Sequence, residues 1–229
     1  MVRGPAALLG ALLYFLAAPA LPALPAGDVT VLVAGSIGLL LVAAATLALL
    51  PARDAPFGLM LIGLGAGLLA AALNAADAGA GANVVEALLA AAVGLLFART
   101  LAPPAFALAI APFVALVDAW SVAFGPTERL LEGGTDAADP LSFDLPAWGE
   151  MGSAGHVGFV DALFLAMFAS WARRHDLRCG LTICAMVLGL IAALVLGVAL
   201  DRAIPALPLI AIGFLLPNAV RLWQLLRRT

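Results

Sequence analysis

The segment CGLTICAMVLGLIAALVLGVAL, from Cys179 to Leu200, contains no charged residue. It is long enough to cross a lipid bilayer as a helix, which takes about 20 apolar residues. The rest of the chain has the same character, because 65% of its 229 residues are hydrophobic and 11% are charged. An average soluble domain is about 45–50% apolar and about 25% charged. The sequence therefore predicts an all-α fold, a polytopic bundle of membrane helices.

About eight segments of this kind follow one another, separated by breaks rich in Pro, Gly, Asp, Asn and Arg. The first resembles a signal peptide in length, but Arg3 is its only basic flank and its Ala/Pro-rich end is a poor cleavage site, so we interpret it as a helix. The fourth is short, and its helix could begin a few residues earlier. The predicted spans are Pro5–Leu24, Val29–Leu50, Pro56–Leu73, Val84–Phe97, Pro103–Phe124, Gly155–Trp171, Cys179–Leu200 and Ile204–Leu225.

The arginines predict the orientation of these helices. With eight spans, most of them lie on one membrane side, and the positive-inside rule places that side and both termini in the cytoplasm. The opposite side receives the loop 125–154, in which six carboxylates accompany the single arginine Arg129. The arginines of the cytoplasmic side are Arg3, Arg53, Arg99, Arg173, Arg174, Arg178, Arg221, Arg227 and Arg228.

The remaining polar residues exclude several classes of function. The net charge is -3 and no basic patch is present, so nucleic acid is not an expected partner. The cysteines Cys179 and Cys184 match no metal motif, and the histidines offer no ligand set, so we expect neither a metal nor a cofactor. His156 is interpreted as an interfacial residue one turn before Asp161, where it could tune that carboxylate.

Two carboxylates lie inside the predicted spans. Asp118, in APFVALVDAWSVAFGP, comes about two turns before its helix ends, and Asp161, in GHVGFVDALF, about two turns after the next helix begins. The two helices are joined by the outer loop and run antiparallel, so both aspartates are expected at a similar depth. An aspartate at the centre of a span costs about 2.5–3.5 kcal/mol, which calls for a compensating role.

Three roles fit the pair on these grounds. Two carboxyls a few ångströms apart can share one proton and hydrolyse a peptide bond, as in aspartic proteases. A proton-coupled transporter could use the same pair as a relay. Either aspartate could also be a structural hydrogen-bond partner.

The surroundings of these aspartates resemble the GxGD intramembrane aspartyl proteases, the family of presenilin and signal peptide peptidase, in a small prokaryotic-type form. Asp118 in LVDAWSVAFGP is similar to the family's first aspartate. Asp161 in GFVDALF, with Gly158 before it, is similar to the Gly-x-Gly-Asp motif, with Val160 where the family has its second glycine. The Pro-Ala-Leu motif that opens the family's last helix is matched in AIPALPLI by Pro205, Ala206, Leu207 and Pro208.

The resemblance implies hydrolysis of peptide bonds within transmembrane segments of membrane proteins or signal-peptide remnants, with Asp118 and Asp161 as catalytic residues. Gly158 and the motif Pro205, Ala206, Leu207 and Pro208 would shape the site and hold substrate. Partners would be substrate helices and membrane lipid, in the cell membrane. An inactive relative that binds helices without cutting them remains an alternative. We treat 1–229 as one integral membrane domain, with N-terminal helices in 1–101 and the candidate catalytic helices in 102–229.

Overall fold

The structure is a computed structural model that describes residues 3–25, 27–76, 79–124, 142–149 and 153–227. Each of the eight predicted segments contains a helix in the described part of the chain. The helices are α1 (Arg3–Ala17), α2 (Asp28–Ala52, with a π-helical stretch at Val31–Gly35), α3 (Pro56–Ala75), α4 (Gly79–Thr100), α5 (Pro104–Phe124), α6 (Phe159–Arg174), α7 (Cys179–Leu200) and α8 (Leu207–Leu226).

Six of the described helices are long and apolar enough to cross a membrane, namely α2, α3, α4, α5, α7 and α8. The protein is therefore a multi-pass membrane protein built from helices. The apolar stretch Gly4–Ala20 at α1 is shorter. Helix α6 has 16 residues and ends at two arginines, Arg173 and Arg174. At a rise of about 1.5 Å per residue it is roughly 24 Å long, less than the roughly 30 Å of a bilayer core.

A β-hairpin precedes α6 and corrects the predicted span Gly155–Trp171. Strand β1 (Ser142–Pro146) pairs antiparallel with β2 (Ser153–Gly158), and α6 begins only at Phe159. The strand β1 alternates as strands do, because Phe143 and Leu145 are buried on either side of the exposed Asp144. The all-α prediction holds for the bundle and misses this hairpin.

The chain divides into two compact units. Unit 1 comprises Met1–Thr100 and Leu141–Ser170, and so contains α1 to α4, the hairpin and most of α6. Helix α4 packs against α1, α2, α3 and β1. Several of its small residues have no exposed surface on more than one side of the helix, which lets its neighbours approach closely: Ala87, Ala90, Ala91, Ala92 and Ala98.

Unit 2 comprises Leu101–Pro140 and Trp171–Thr229. In it α8 packs against both α7 and α5. The contact between α7 and α8 is close, since a Cβ atom at Gly213 would lie 2.7 Å from the backbone of Ala185. Asn218 is fully buried in the same contact, where its amide donates to the Thr182 hydroxyl and its oxygen accepts from the Arg178 N–H. Unit 2 is thus held by close backbone packing and a satisfied polar cluster.

Candidate functional site

Asp118 lies about two turns before the end of α5, as the sequence predicts. Its Oδ2 accepts a hydrogen bond of 3.0 Å from the backbone N–H of Leu207, the first residue of α8. The first N–H groups of a helix have no partner within the helix, and a negative charge is favoured there. The residue before the helix, Ala206, supplies no side-chain cap. Asp118 therefore caps α8 from another helix.

The Pro-Ala-Leu segment forms the entry to α8. Residues 203–205 have no regular structure, and the helix starts with Leu207 and Pro208. Proline at a first helical turn is favoured because it has no N–H to leave unpaired. Leu207 is 5% exposed, so its N–H depends on the carboxylate of Asp118 rather than on water. The structure thus brings together two of the features that the sequence singles out, the first aspartate and the motif.

Asp161 lies nearer to a helix terminus than predicted. It is the third residue of α6 and not two turns inside it, because residues 155–158 belong to β2. Its Oδ2 accepts a hydrogen bond of 3.2 Å from the N–H of Gly158, just before the helix. This is the backward half of a capping box, in which an acidic side chain of the first turn bonds the N-cap N–H. The expectation that Asp118 and Asp161 lie at a similar depth in the membrane assumed that Asp161 is two turns inside its helix, and this assumption is wrong.

Gly158 leaves room for the carboxylate of Asp161 at this bond. A Cβ atom at that position would lie 3.0 Å from Oδ2 of Asp161, tighter than an ordinary contact. The resemblance gives Gly158 a part in shaping the site, and the group that it accommodates in the structure is the carboxylate of Asp161. Gly155, also in β2, has φ of 144°, a conformation that favours glycine, next to a register shift of the hairpin.

The hairpin carries an ion pair that the sequence does not reveal. His156 Nδ1 lies 2.6 Å from Oδ1 of Asp144, its direct partner across the two strands. The hydrogen bond and the charge of Asp144 raise the pKa of His156 above its ordinary value, and partial burial opposes them. His156 was a candidate for tuning Asp161, but the carboxylate it contacts is that of Asp144.

Asn83 is a polar residue of this region that the sequence analysis does not single out. It lies in α4, is 6% exposed, and its side chain bonds both the backbone N–H and the backbone C=O of Asp144. The signal that could have identified it is an amide just before the apolar run VVEALLAAAVGLLF. Buried amides need partners, but a single sequence does not name them.

Asp118 belongs to unit 2 and Asp161 to unit 1. The structure describes each in its own unit, so the pairing of the two carboxylates belongs to the proposal below. Among the described residues, no group of three or more His, Cys, Asp and Glu side chains could hold a metal ion.

Comparisons of the chain with protein-family models, with curated proteins and with solved structures find no match. The resemblance to the GxGD proteases therefore rests on the sequence motifs.

Proposed function

We propose that this membrane protein is an intramembrane aspartyl protease with Asp118 and Asp161 as its catalytic pair. The observation that carries the proposal is the hydrogen bond from Leu207 to Asp118. It joins the first candidate aspartate to the Pro-Ala-Leu segment, 89 residues away in the sequence. In the family that the motifs resemble, these two features belong to one active site.

The chemistry needs two carboxyls that share one proton. The ionised carboxylate takes a proton from water as the water oxygen attacks the substrate's peptide carbonyl, and the protonated carboxyl donates its proton to the carbonyl oxygen. The resulting gem-diol collapses, the C–N bond breaks, and a proton passes to the leaving nitrogen. The bond from Leu207 engages Oδ2 of Asp118 and so orients Oδ1, which supports a fixed geometry for proton transfer.

The fold proposed for this function is presenilin-like with eight spans, of which α1 and α6 would be the short ones. Both termini would lie in the cytoplasm of a cell whose plasma membrane holds the protein, since the arginines favour that side. The loop between α5 and α6 would then face outward. With the loop outside, the protein would favour substrates that have the membrane orientation of signal-peptide remnants. The irregular stretch 203–205 before α8 would offer backbone groups to an unwound substrate strand.

Cleavage in liposomes tests the proposal. Purified protein is reconstituted with a panel of single-span test substrates, and discrete fragments are sought by mass spectrometry. Wild type is expected to cut, and Asp118→Asn and Asp161→Asn to lower the rate at least about 100-fold, because each removes a group that transfers a proton. A hydroxyl-containing transition-state mimic is expected to block the wild-type reaction.

A matched control is Asp201→Asn. Asp201 is exposed at the end of α7 with φ of 48°, a left-handed conformation that asparagine also tolerates, so this variant makes the same chemical change away from the proposed site. It is expected to cleave like wild type. Fragments that persist in both Asp118→Asn and Asp161→Asn contradict the proposal. Absence of fragments together with a proton flux that either variant abolishes would favour the transporter instead.

A further inference from the structure

Helix α4 contacts the segment around Asp161 at two points on one face. Asn83 and Gly94 are eleven residues apart, which is close to three helical turns, so they share a face. Asn83 bonds the backbone of Asp144 in β1. A Cβ atom at Gly94 would overlap the carbonyl oxygen of Leu163 in α6. Both contacts lie within unit 1.

The side chain of Asn83 bonds the backbone of β1 as a neighbouring strand would. Its Nδ2 donates to the Asp144 carbonyl oxygen at 2.9 Å, and its Oδ1 accepts from the Asp144 N–H at 3.0 Å. One amide therefore pairs with both backbone groups of a single strand residue, on the edge of β1 that β2 does not occupy. Two bonds to one residue define a register. The arrangement therefore holds β1 against α4 and also prevents β1 from sliding along the α4 axis.

The contact at Gly94 fixes the other side of the segment. Leu163 comes two residues after Asp161, and the missing side chain of Gly94 lets the backbone of α6 touch α4. Between the two contacts the connection is short. Asp144 is paired with His156 across the hairpin, β2 ends at Gly158, and the N–H of Gly158 bonds Asp161. Displacement of β1 along α4 would therefore move the start of α6.

We propose that Asn83 is a positioning residue for Asp161: its bidentate bond to Asp144, together with the close contact at Gly94, sets the position of the Asp161 carboxylate. The inference rests on the proposed function, because the position of Asp161 has a catalytic consequence only if Asp161 reacts. An apolar side chain of similar size would suffice to fill the space at Asn83 but would supply neither bond, whereas the amide supplies both.

The experiment compares Asn83→Leu and Asn83→Asp with wild type in the liposome cleavage assay. Leucine removes both bonds, and ionised aspartate keeps the acceptor for the Asp144 N–H while losing the donor. The matched control is Asn74→Leu, because Asn74 is an exposed amide at the end of α3 whose partner is the Glu86 side chain. Rates, KM for substrate, and the inhibition constant of a hydroxyl transition-state mimic are measured, with amide hydrogen exchange at Asp144.

Asn83→Leu is expected to lower kcat and to weaken the transition-state mimic, each by up to about 100-fold, since a displacement of about 1 Å can cost that much. KM is expected to stay within about a factor of two, Asn83→Asp to fall between leucine and wild type, and Asn74→Leu to match wild type. Hydrogen exchange at Asp144 is expected to speed up in Asn83→Leu alone. An inhibition constant does not depend on how much enzyme is folded, so a purely structural role would leave it unchanged.

Several results overturn the inference. An unchanged inhibition constant in both Asn83 variants shows that Asn83 supports folding only, even if the measured rate falls. If Asn83→Leu does not fold, Asn83→Asp decides in the same way. If wild type cuts none of the substrates, the proposed function fails. The exchange measurement tests the inference independently of cleavage. Unchanged exchange at Asp144 in Asn83→Leu would contradict the contact on which the positioning depends.

Discussion

The two candidate aspartates perform the same structural task in different ways. Each carboxylate accepts an N–H at the start of a helix, Asp161 from Gly158 before α6 and Asp118 from Leu207 at the start of α8. The N–H of Gly158 is three residues from Asp161 in the sequence, and the N–H of Leu207 is 89 residues from Asp118. The first bond can form as soon as α6 forms, whereas the second requires α5 and α8 to pack.

This difference indicates where each aspartate is sensitive. The position of Asp161 depends on the local turn and on what holds the hairpin. The position of Asp118 relative to Leu207 depends on the packing of unit 2, in which α8 lies against both α5 and α7. Substitutions far from Asp118 in sequence should therefore reach it through α8. Three measurements test and refine this contrast.

Gly213→Ala is expected to cost as much stability as any substitution considered below. The added Cβ would lie 2.7 Å from the backbone of Ala185, so α8 must move away from α7. We expect a loss of about 1–3 kcal/mol in the free energy of unfolding, measured by titration with SDS in mixed micelles, and slower cleavage because Leu207 moves with α8.

The control is Gly180→Ala in the first turn of α7, where an added Cβ meets no atom within 4 Å. It should be neutral or stabilising by up to about 1 kcal/mol. Equal destabilisation by the two substitutions would show that the contact between α7 and α8 is not the sensitive one.

The next effect compares alanine at the two aspartates. Asp118→Ala leaves the N–H of the buried Leu207 without its acceptor and should cost about 1–3 kcal/mol. Asp161→Ala loses a local cap and should cost about 0.5–1 kcal/mol, near the lower end for caps. Asp118→Asn keeps an oxygen acceptor and should cost less than Asp118→Ala. The same SDS titration measures all three. A larger cost at Asp161 than at Asp118 would reverse the contrast between long-range and local support.

The smallest effect concerns the ion pair of the hairpin. Because Asp144 raises the pKa of His156 in the folded protein, the pair stabilises fully below the ordinary histidine value of 6.5, and this stabilisation is lost as pH rises through the raised value. The side chains are 62% and 55% exposed, so the contribution should stay below about 1 kcal/mol.

Thermal unfolding at pH of about 5.5 and about 8.5 measures this contribution. Wild type should exceed His156→Gln in stability more clearly at the lower pH. The same difference at both values would show that the pair is not ionic.

The helices were largely predictable, and the hairpin was not. The span Cys179–Leu200 coincides residue for residue with α7, since an unbroken apolar segment of that length specifies both its helix and its ends. The segment 155–158 was interpreted as helix because it continues into an apolar run. Its strand depends on pairing with 142–146, a partner that hydropathy does not indicate.

Most residues of the candidate site could be identified individually from the sequence, but the contacts between them could not. Asp118 and Asp161 stand out because carboxylates are costly in membrane helices, and the Pro-Ala-Leu segment stands out because it resembles a motif of the GxGD proteases. Asn83 does not stand out, and its partner Asp144 is 61 residues away. A buried amide needs hydrogen-bond partners, but the sequence does not show which groups they are.

By itself, the sequence determined that this chain enters a membrane. It also determined the positions of most helices in the chain and the few residues that carry charge among apolar neighbours. Hydropathy is a property of consecutive residues, so a single chain suffices for it. The tertiary structure decided that Asp118 caps α8, that Asn83 holds β1, and that Gly158 accommodates the carboxylate of Asp161. Hydrogen bonds form between groups that packing brings within about 3 Å, and for Asp118 and Asn83 that proximity depends on helices distant in the chain.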